Sequence, residues 1–444
     1  MRNTTLLFCV VILLSGCTKF LDKKSDLKLS TPSTFEDLEA LLRAPGTMNF
    51  AYTAAWGEIA SDNVLLTSSV WGSISLQQDR IPYNWDTLPT AQVPWASAYL
   101  RILQANLIQE KLNEMNEVSL ERKNSLKGRA LFYRALTYFD LLLFYSEAYD
   151  PQRAEQIIGV PLRRGTDIDE KLVRNSLQEC MQQIEQDLTA ASELLLPAIP
   201  ELPITPSLAA VHALFSKYYL MIHDYEKAEL HAQECLKIKG ALLNYKSLSQ
   251  VKYPFERYNT EVIFFYQSTG GALTENRARV EPTLYATYSE DDLRKKMFFT
   301  KNADGYYMFT GDYAKSSSSS RFCGITTAEI ILNRAESLAR LGKTALAIQE
   351  IKKLMENRYT KIPSEIDALA GNELLHFILK ERRKELVFRG VRYFDLKRLT
   401  PQEIGIEQIT RTIEDGKYKI TIEELKKFRF TLPEIVINNS DFTP

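Results

Sequence analysis

Between Trp95 and Tyr149, apolar side chains recur every three or four residues, first as Ile102, Leu107, Ile108 and Leu112, then as Leu126, Ala130, Tyr133, Leu136 and Phe139. That period places one apolar stripe on each of two long helices, joined near Val118 and Ser119. Ser119 offers its hydroxyl to the open amides of the second helix, although Arg122 stands where a full capping box needs an acidic residue. Asp150 and Pro151 are expected to stop that helix, because a residue before proline leaves the helical region. The same period predicts a helix over 175–196, closed by Pro197, Pro200 and Pro203, and a helical pair over 207–221 and 225–239.

The turn of that pair, His223, Asp224 and Tyr225, is short, and Ala228 and Ala232 stand four apart, so neighbouring helices can approach closely. The stretch 326–358 repeats the plan. Ala328, Leu332, Ala335 and Leu338 line one helix, Leu341 and Gly342 turn the chain, and Ala345, Ile348, Ile351 and Leu354 line the next. Hairpins of about 34 residues are the unit of tetratricopeptide repeats. The expected fold is therefore mainly α, a tetratricopeptide-like helical scaffold over about 95–240 and 326–400 with irregular, loop-rich insertions and a few short strands.

Those insertions are expected where helical periodicity fades, over about 46–94 and 240–325. All four tryptophans fall between Trp56 and Trp95, within the first or at its end; the second holds a short strand over 261–266, the pair Gly270 and Gly271, many aromatics and the serine run 316–320. Irregular segments on a rigid scaffold are where binding usually sits.

The N-terminus changes the picture most. Arg2, an apolar run over 6–14, and then Leu14, Ser15, Gly16 and Cys17 read as a lipoprotein export signal. The run is too short to span a bilayer, which takes about 20 residues. Cleavage before Cys17 removes residues 1–16 and leaves Cys17 as the lipid attachment site, followed by a polar, lysine-bearing tether over 17–34 and a single domain over 35–444. Several acyl chains on one cysteine, at about 0.8 kcal/mol per buried CH₂, hold such a domain at the membrane.

Loss of Arg2 makes the formal charge one unit more negative than the −1 of the full chain, which argues against nucleic acid as a partner. Of the cysteines outside the signal and the acylated position, Cys180, Cys235 and Cys323, at most two can pair; Cys180 and Cys235 fall among apolar helical neighbours, where a cysteine acts as a small hydrophobe.

Four segments carry a family resemblance: GRALFYRALTYFDLLLFYSEAY over 128–149, TAEIILNRAESLARLG over 327–342, ERRKELVFRGVRYFDLKRL over 381–399 and FTLPEIVINNS over 430–440. In this order, behind a lipobox, they resemble the SusD/RagB family of nutrient-binding outer-membrane lipoproteins. The resemblance implies four tetratricopeptide-like units, a lipid anchor at the outer membrane with the domain facing the cell surface, and a SusC-like TonB-dependent transporter as partner, over which the lipoprotein acts as a ligand-capturing lid. Arg389 departs from the family pattern, which usually has glutamate there, so the ion pairing around it must differ.

Glu381, Arg382, Arg383, Glu385, Arg392, Asp395 and Arg398 are densely charged, but one-turn spacing and arginine forks suit a structural ladder. The four histidines, His212, His223, His231 and His376, form no zinc-protease pattern, and no nucleophile elbow, phosphate loop or dinucleotide fingerprint occurs. No catalysis, cofactor or metal is expected. Aromatic faces can cover the apolar C–H face of a sugar, which makes Trp71, Tyr83, Trp85, Tyr285, Tyr306 and Tyr307 the candidate ligand contacts, with Asp62, Asn63, Arg277 and Arg279 as candidate hydrogen-bonding partners; Trp56 and Trp95 are assigned to packing. The expected role is capture of an oligosaccharide for delivery to the transporter, with peptide capture or, less in keeping with the residues, an anchored hydrolase as alternatives.

Overall fold

Half of the scaffold helices start on a side-chain cap in the computed structural model, which describes residues 32–440 except 168, 196–198, 316–319 and 414–415. The signal over 1–16, Cys17, most of the tether and Ser316 to Ser319 lie outside the described residues. The scaffold helices are α1 (Tyr52–Ala60), α2 (Gln92–Glu114), α3 (Leu120–Tyr145), α4 (Leu177–Leu194), α5 (Leu208–Met221), α6 (Tyr225–Ile238), α7 (Thr327–Arg340), α8 (Thr344–Glu356), α9 (Gly371–Glu385) and α10 (Val391–Arg398). Ser119, Ser207, Asp224 and Thr326 cap α3, α5, α6 and α7, and Ser176 with Glu179 closes a full capping box on α4. Each such cap satisfies an amide that would otherwise stay open and contributes about 1 kcal/mol.

The helices stack in series, α2 on α3, α3 on α4, α4 on α5, α5 on α6, α6 on α7, and α7 on both α8 and α9. The step from α6 to α7 skips the whole second insertion, so the two hairpins are neighbours in space though not in sequence. Polar side chains fix this contact: Lys217 of α5 pairs with Glu329 of α7 at 3.0 Å, Asn333 donates to the Ser216 hydroxyl at 3.2 Å, and Arg334 pairs with Glu229 of α6 at 2.9 Å. Ala228 and Ala232 are fully buried where α6 packs, as small residues permit.

Two local expectations are corrected. Helix α3 ends at Tyr145, short of Asp150: Ser146 is extended, and the Lys397 ammonium donates to the carbonyls of Leu143 at 3.3 Å and Ser146 at 2.6 Å, taking over acceptors that further helical turns would have used. The first insertion is not irregular throughout, since it contains α1 and short helices over Ser68–Ser73 and Gln77–Asn84. The segment 381–399 is broken between α9 and α10, where Phe388 and Gly390 adopt φ of 60° and 74°.

That break rests on α1. Glu58 is buried and accepts from Phe388 N at 3.1 Å, Gly390 N at 2.8 Å and Asn63 Nδ2 at 3.0 Å. A Cβ on residue 390 would lie 2.7 Å from the Ala54 carbonyl oxygen, so glycine is required both by φ and by space.

The strands among the described residues form six two-stranded antiparallel ladders. Two of them tie the insertions down: Val64–Leu65 pairs with Arg279–Val280, linking first insertion to second, and Val262–Phe264, within the expected strand, pairs with Ile325–Thr326 at the entry to α7. The main core runs through the helical stack, and a second core is built mostly by the insertions, from Trp71, Tyr83, Tyr245, Phe255, Phe298, Phe309, Tyr313 and Phe322 with Val387 and Phe388 from the α9–α10 break. At about 1.5–3 kcal/mol for each large side chain buried, this second core explains why loop-rich segments hold one shape.

Candidate ligand-binding surface

The charged segment 381–399 resolves into closed ion-pair networks. Arg294 bonds Asp292, Glu381 and Glu385 at 2.8, 2.6 and 3.1 Å, while Arg358 joins Glu385 to Glu261. Further along, Arg398 bridges Glu336 and Asp395 at 2.6 and 2.8 Å, and Arg382 shares Asp395. The guanidinium of Arg294 and the ammonium of Lys384 hold the Asp292 carboxyl down at about 2 against the upward push of burial. These acids are occupied by arginine, which is the arrangement of a structural lock. Arg389 takes no part as a carboxylate clamp; its guanidinium lies 4.2 Å from the Tyr313 ring centre and donates to the Thr326 hydroxyl at 3.2 Å.

The structure takes Trp71, Tyr83, Trp85, Asp62 and Asn63 out of reach of a ligand at the surface. Trp71, Tyr83 and Trp85 are buried, with 6, 1 and 7% of their surface exposed. Arg411 explains two of them: its guanidinium sits 3.7 Å from the Tyr83 ring centre and 4.5 Å from that of Trp85, while it donates to the carbonyls of Tyr83 and Ser61. Trp85 also donates its indole N–H to Ala60 O at 3.0 Å. Asp62 is gripped by Arg392 and Arg383, and Asn63 Oδ1 accepts from Arg383 Nε at 3.0 Å. Arg279 staples its own loop through Glu275 O, Asn276 O and Ala278 O, and Arg277 donates to Gly271 O. Trp56 and Trp95 are buried against Phe430 and Tyr145, as packing residues.

Tyr285, Tyr306 and Tyr307 remain accessible. A β-hairpin pairs Phe299–Lys301 with Tyr307–Phe309, and Gly305, with φ of 88°, makes its turn. Consecutive strand residues face opposite sides. Tyr307 therefore turns inward enough to stack on Tyr285, ring centres 3.7 Å apart and planes 14° from parallel, while Tyr306 stands at the turn, 36% exposed. Lys295 lies 5.5 Å from the Tyr285 ring centre. Asp304, in the hairpin turn, accepts from Arg279 Nε at 2.7 Å and from Tyr306 N at 3.1 Å.

Sequence reasoning missed a neighbour of this hairpin. Glu275, whose carbonyl is held by Arg279, has a carboxylate bonded by Lys252 and by the Tyr253 hydroxyl. Tyr253 and Tyr258 both adopt φ of 62°, a conformation rare for aromatic residues. Only the density of aromatics over 253–266 hinted at this loop. Polar groups and aromatic rings thus run continuously from Tyr253 through Glu275, Arg279 and Asp304 to Tyr306.

A cavity of about 40 Å³ is lined by Asp140, Lys217, Tyr266, Cys323 and Arg389. Asp140 accepts from the Tyr266 hydroxyl at 3.2 Å, and burial pushes its carboxyl up to about 6. Cys180, Cys235 and Cys323 are all free thiols.

Comparison with known proteins gives the same answer over nearly the whole chain. A SusD-like family model described as starch-binding and associating with the outer membrane matches residues 19–220, and the model of the SusD family matches residues 256–433. A SusD-like protein of Formosa agariphila is 23% identical over 89% of this chain and 91% of its own. Among solved structures, a SusD superfamily protein of Bacteroides fragilis superposes with a TM-score of 0.74 at 20% identity, over 94% of this chain and all of that one. A laminarin-binding SusD-like protein does so with a TM-score of 0.61 at 20% identity, over 81% of this chain and 89% of that one. With two adjoining family models and a full-length relative on a shared helical scaffold, the chain belongs to the SusD/RagB family.

Proposed function

We propose that this protein captures an oligosaccharide at the cell surface and passes it, unaltered, to a SusC-like TonB-dependent transporter, held at the outer membrane by lipid on Cys17. The observation that carries the reading is the exposed hairpin with Tyr306 at its turn and the Tyr285–Tyr307 stack at its side. Flat aromatic faces next to carboxylates and amides suit the mixed apolar and hydroxylated surface of a sugar. The starch-binding description of the matching family model and the laminarin-binding structural relative support a glycan as the class of ligand. Closed ion-pair networks in the charged segment leave its carboxylates bound to arginine, in keeping with binding and not catalysis.

Calorimetric titration of the mature protein with neutral glucan, other oligosaccharide and peptide panels tests the ligand class. Saturable heat with glycans, reduced by Tyr306→Ala, is expected; saturable heat with peptides alone assigns the peptide reading instead. Release of reducing ends would contradict simple capture. Co-purification of a TonB-dependent barrel with the acylated protein, lost when Cys17 is replaced, tests anchoring and partnership together.

A further inference from the structure

A groove of about 330 Å³ runs between α9, α10 and the short helix Pro401–Ile404. Leu379, Leu399 and Ile404, which pack together as a small cluster of their own, give it apolar walls. Its charged lining is Lys380, Arg383, Arg392 and Glu403. His376 Nε2 and Gln402 O, 3.0 Å apart, fasten the short helix to α9, so the groove is preformed. It shares no residue with the tyrosine hairpin.

The charges of this lining do not balance. Glu403 is already committed: its carboxylate pairs with Arg340 at 2.6 Å and accepts from Thr400 N at 2.8 Å. Asp62 is one carboxylate for two guanidiniums, taking Nε and Nη2 of Arg392 and Nη2 of Arg383, whose Nε goes to Asn63. The Nη1 of each arginine has no hydrogen-bond partner among the described residues and is not sealed from open space. Glu281, the other carboxylate that acts on Arg383, caps its own helix through the amides of Thr283 and Leu284 at 2.8 and 3.1 Å. Burial pushes the Arg383 guanidinium down in spite of Asp62, the direction expected of a cation short of counter-charge. Lys380 is exposed, with no ion-pair partner among the described residues. Three cations thus line the groove, and Asp62 alone offsets them.

Each part of the groove selects a part of a ligand. Open guanidinium N–H groups favour a planar carboxylate, and leucine and isoleucine walls favour alkyl carbons. A volume near the lower end of small-molecule sites, about 300 Å³, leaves room for one such head and a short tail. We propose that this groove binds a small amphiphilic carboxylate, its head against Arg383, Arg392 and Lys380 and its apolar tail on Leu379, Leu399 and Ile404. A free aliphatic acid and an apolar residue at the carboxyl end of a peptide both carry that chemistry. The site is independent of glycan capture at the hairpin and stands or falls separately from it.

The test separates head, tail and source. The mature protein, with labelled leucine and isoleucine methyl groups, is titrated with octanoate, with octanamide as its uncharged counterpart, and with acetyl-leucyl-leucine against the same peptide amidated at its carboxyl end. Expected are one saturable carboxylate per chain, magnetisation transfer from its tail to the methyl groups of Leu379, Leu399 and Ile404, and binding of the amides weaker by about tenfold or more, the least that loss of a charge-assisted bond removes. Tighter octanoate assigns a free acid as the natural class, and a tighter peptide assigns a carboxyl terminus. Lys380→Glu, a change on an exposed side chain, should weaken carboxylate binding while leaving the melting temperature unchanged. Failure of both carboxylates to saturate, amides that bind equally well, tail contacts elsewhere on the protein, or unchanged affinity in Lys380→Glu overturns the proposal. The methyl contacts need no variant, so they decide the matter even if a substitution disturbs folding.

Discussion

Arg392 closes a two-point fork on Asp62, Nε to Oδ1 at 2.7 Å and Nη2 to Oδ2 at 2.9 Å, across 330 residues of sequence. Arg383 adds a third contact at 3.0 Å, so the end of α1 is bolted to both α9 and α10. The two guanidiniums hold the Asp62 carboxyl far below the usual carboxylate range even though burial pushes it up.

Replacing Asp62 with Asn leaves two mostly buried arginines without their counter-charge. Breaking a buried pair from one side costs about 3–5 kcal/mol, and Asp62→Asn should lose that much in chemical denaturation at pH 7. The sign with pH follows from the depressed carboxyl: its contribution is complete above the unfolded carboxylate's ordinary 3.8 and is lost as pH falls through the lower, folded value. The gap between parent and variant should therefore narrow in acid. An equal gap at pH 7 and pH 3 would contradict this account.

The scaffold could be read from sequence because its determinants are local. Ser176 with Glu179, the small pair Ala228 and Ala232, and the Gly342 turn each act within a few residues, and the apolar period does the rest. Asp62 and Arg392 have no such signature, since nothing near either names the other. The same holds for Tyr83 and Trp85: an aromatic-rich insertion looks like a binding loop until Arg411, 328 residues beyond Tyr83, supplies the contacts that bury both. In the sequence Tyr285, Tyr306 and Tyr307 look no different from Tyr83 and Trp85, and only the folded hairpin, with Tyr306 at its turn and Tyr307 stacked on Tyr285, keeps them accessible.

Two glycines with nearly equal dihedrals separate strain from space. Gly390 has φ of 74° and its missing Cβ would meet Ala54 O at 2.7 Å, whereas Gly342 has φ of 73° and open space. Left-handed backbone alone costs a non-glycine residue about 1–2 kcal/mol. Gly342→Ala should show that loss, and Gly390→Ala should exceed it by a further 1–3 kcal/mol, roughly the cost of overpacking, with the Glu58 contacts to residues 388 and 390 disturbed. Melting curves of the two variants, compared side by side, check the order.

Asp140 gives the opposite pH sign to Asp62. Burial raises its carboxyl from the ordinary 3.8 to about 6, with Arg101 and Lys217 opposing the rise only in part. Because the folded state holds the proton more tightly, the stability this group contributes is complete below about 3.8 and is lost as pH rises through 6. Asp140→Asn keeps the shape and can still bond the Tyr266 hydroxyl but cannot ionise. It should be more stable than the parent at pH 8 by roughly 3 kcal/mol, with the advantage vanishing near pH 4. Denaturant midpoints across that range measure it, and a variant less stable at pH 8 would show that the charge is needed by its cationic neighbours.

The aromatic residues permit a sharper test of the ligand surface than loss of binding alone. Tyr306 touches solvent at the hairpin turn, Tyr307 shares its ring face with Tyr285, and Trp85 lies in the core with its indole N–H bonded to Ala60 O. Tyr306→Ala should weaken glycan binding while leaving the melting temperature unchanged, because little packing is lost. Tyr307→Ala should weaken binding and also lower the melting temperature slightly, since a stacked aromatic pair contributes about 0.5–1.5 kcal/mol. Trp85→Ala should destabilise by about 3–5 kcal/mol, as core aromatic truncations do, and affect binding only through unfolding. If instead Trp85→Ala abolished binding in a protein that still melted normally, the ligand would have to enter the second core, and the surface from Tyr253 to Tyr306 would be the wrong face.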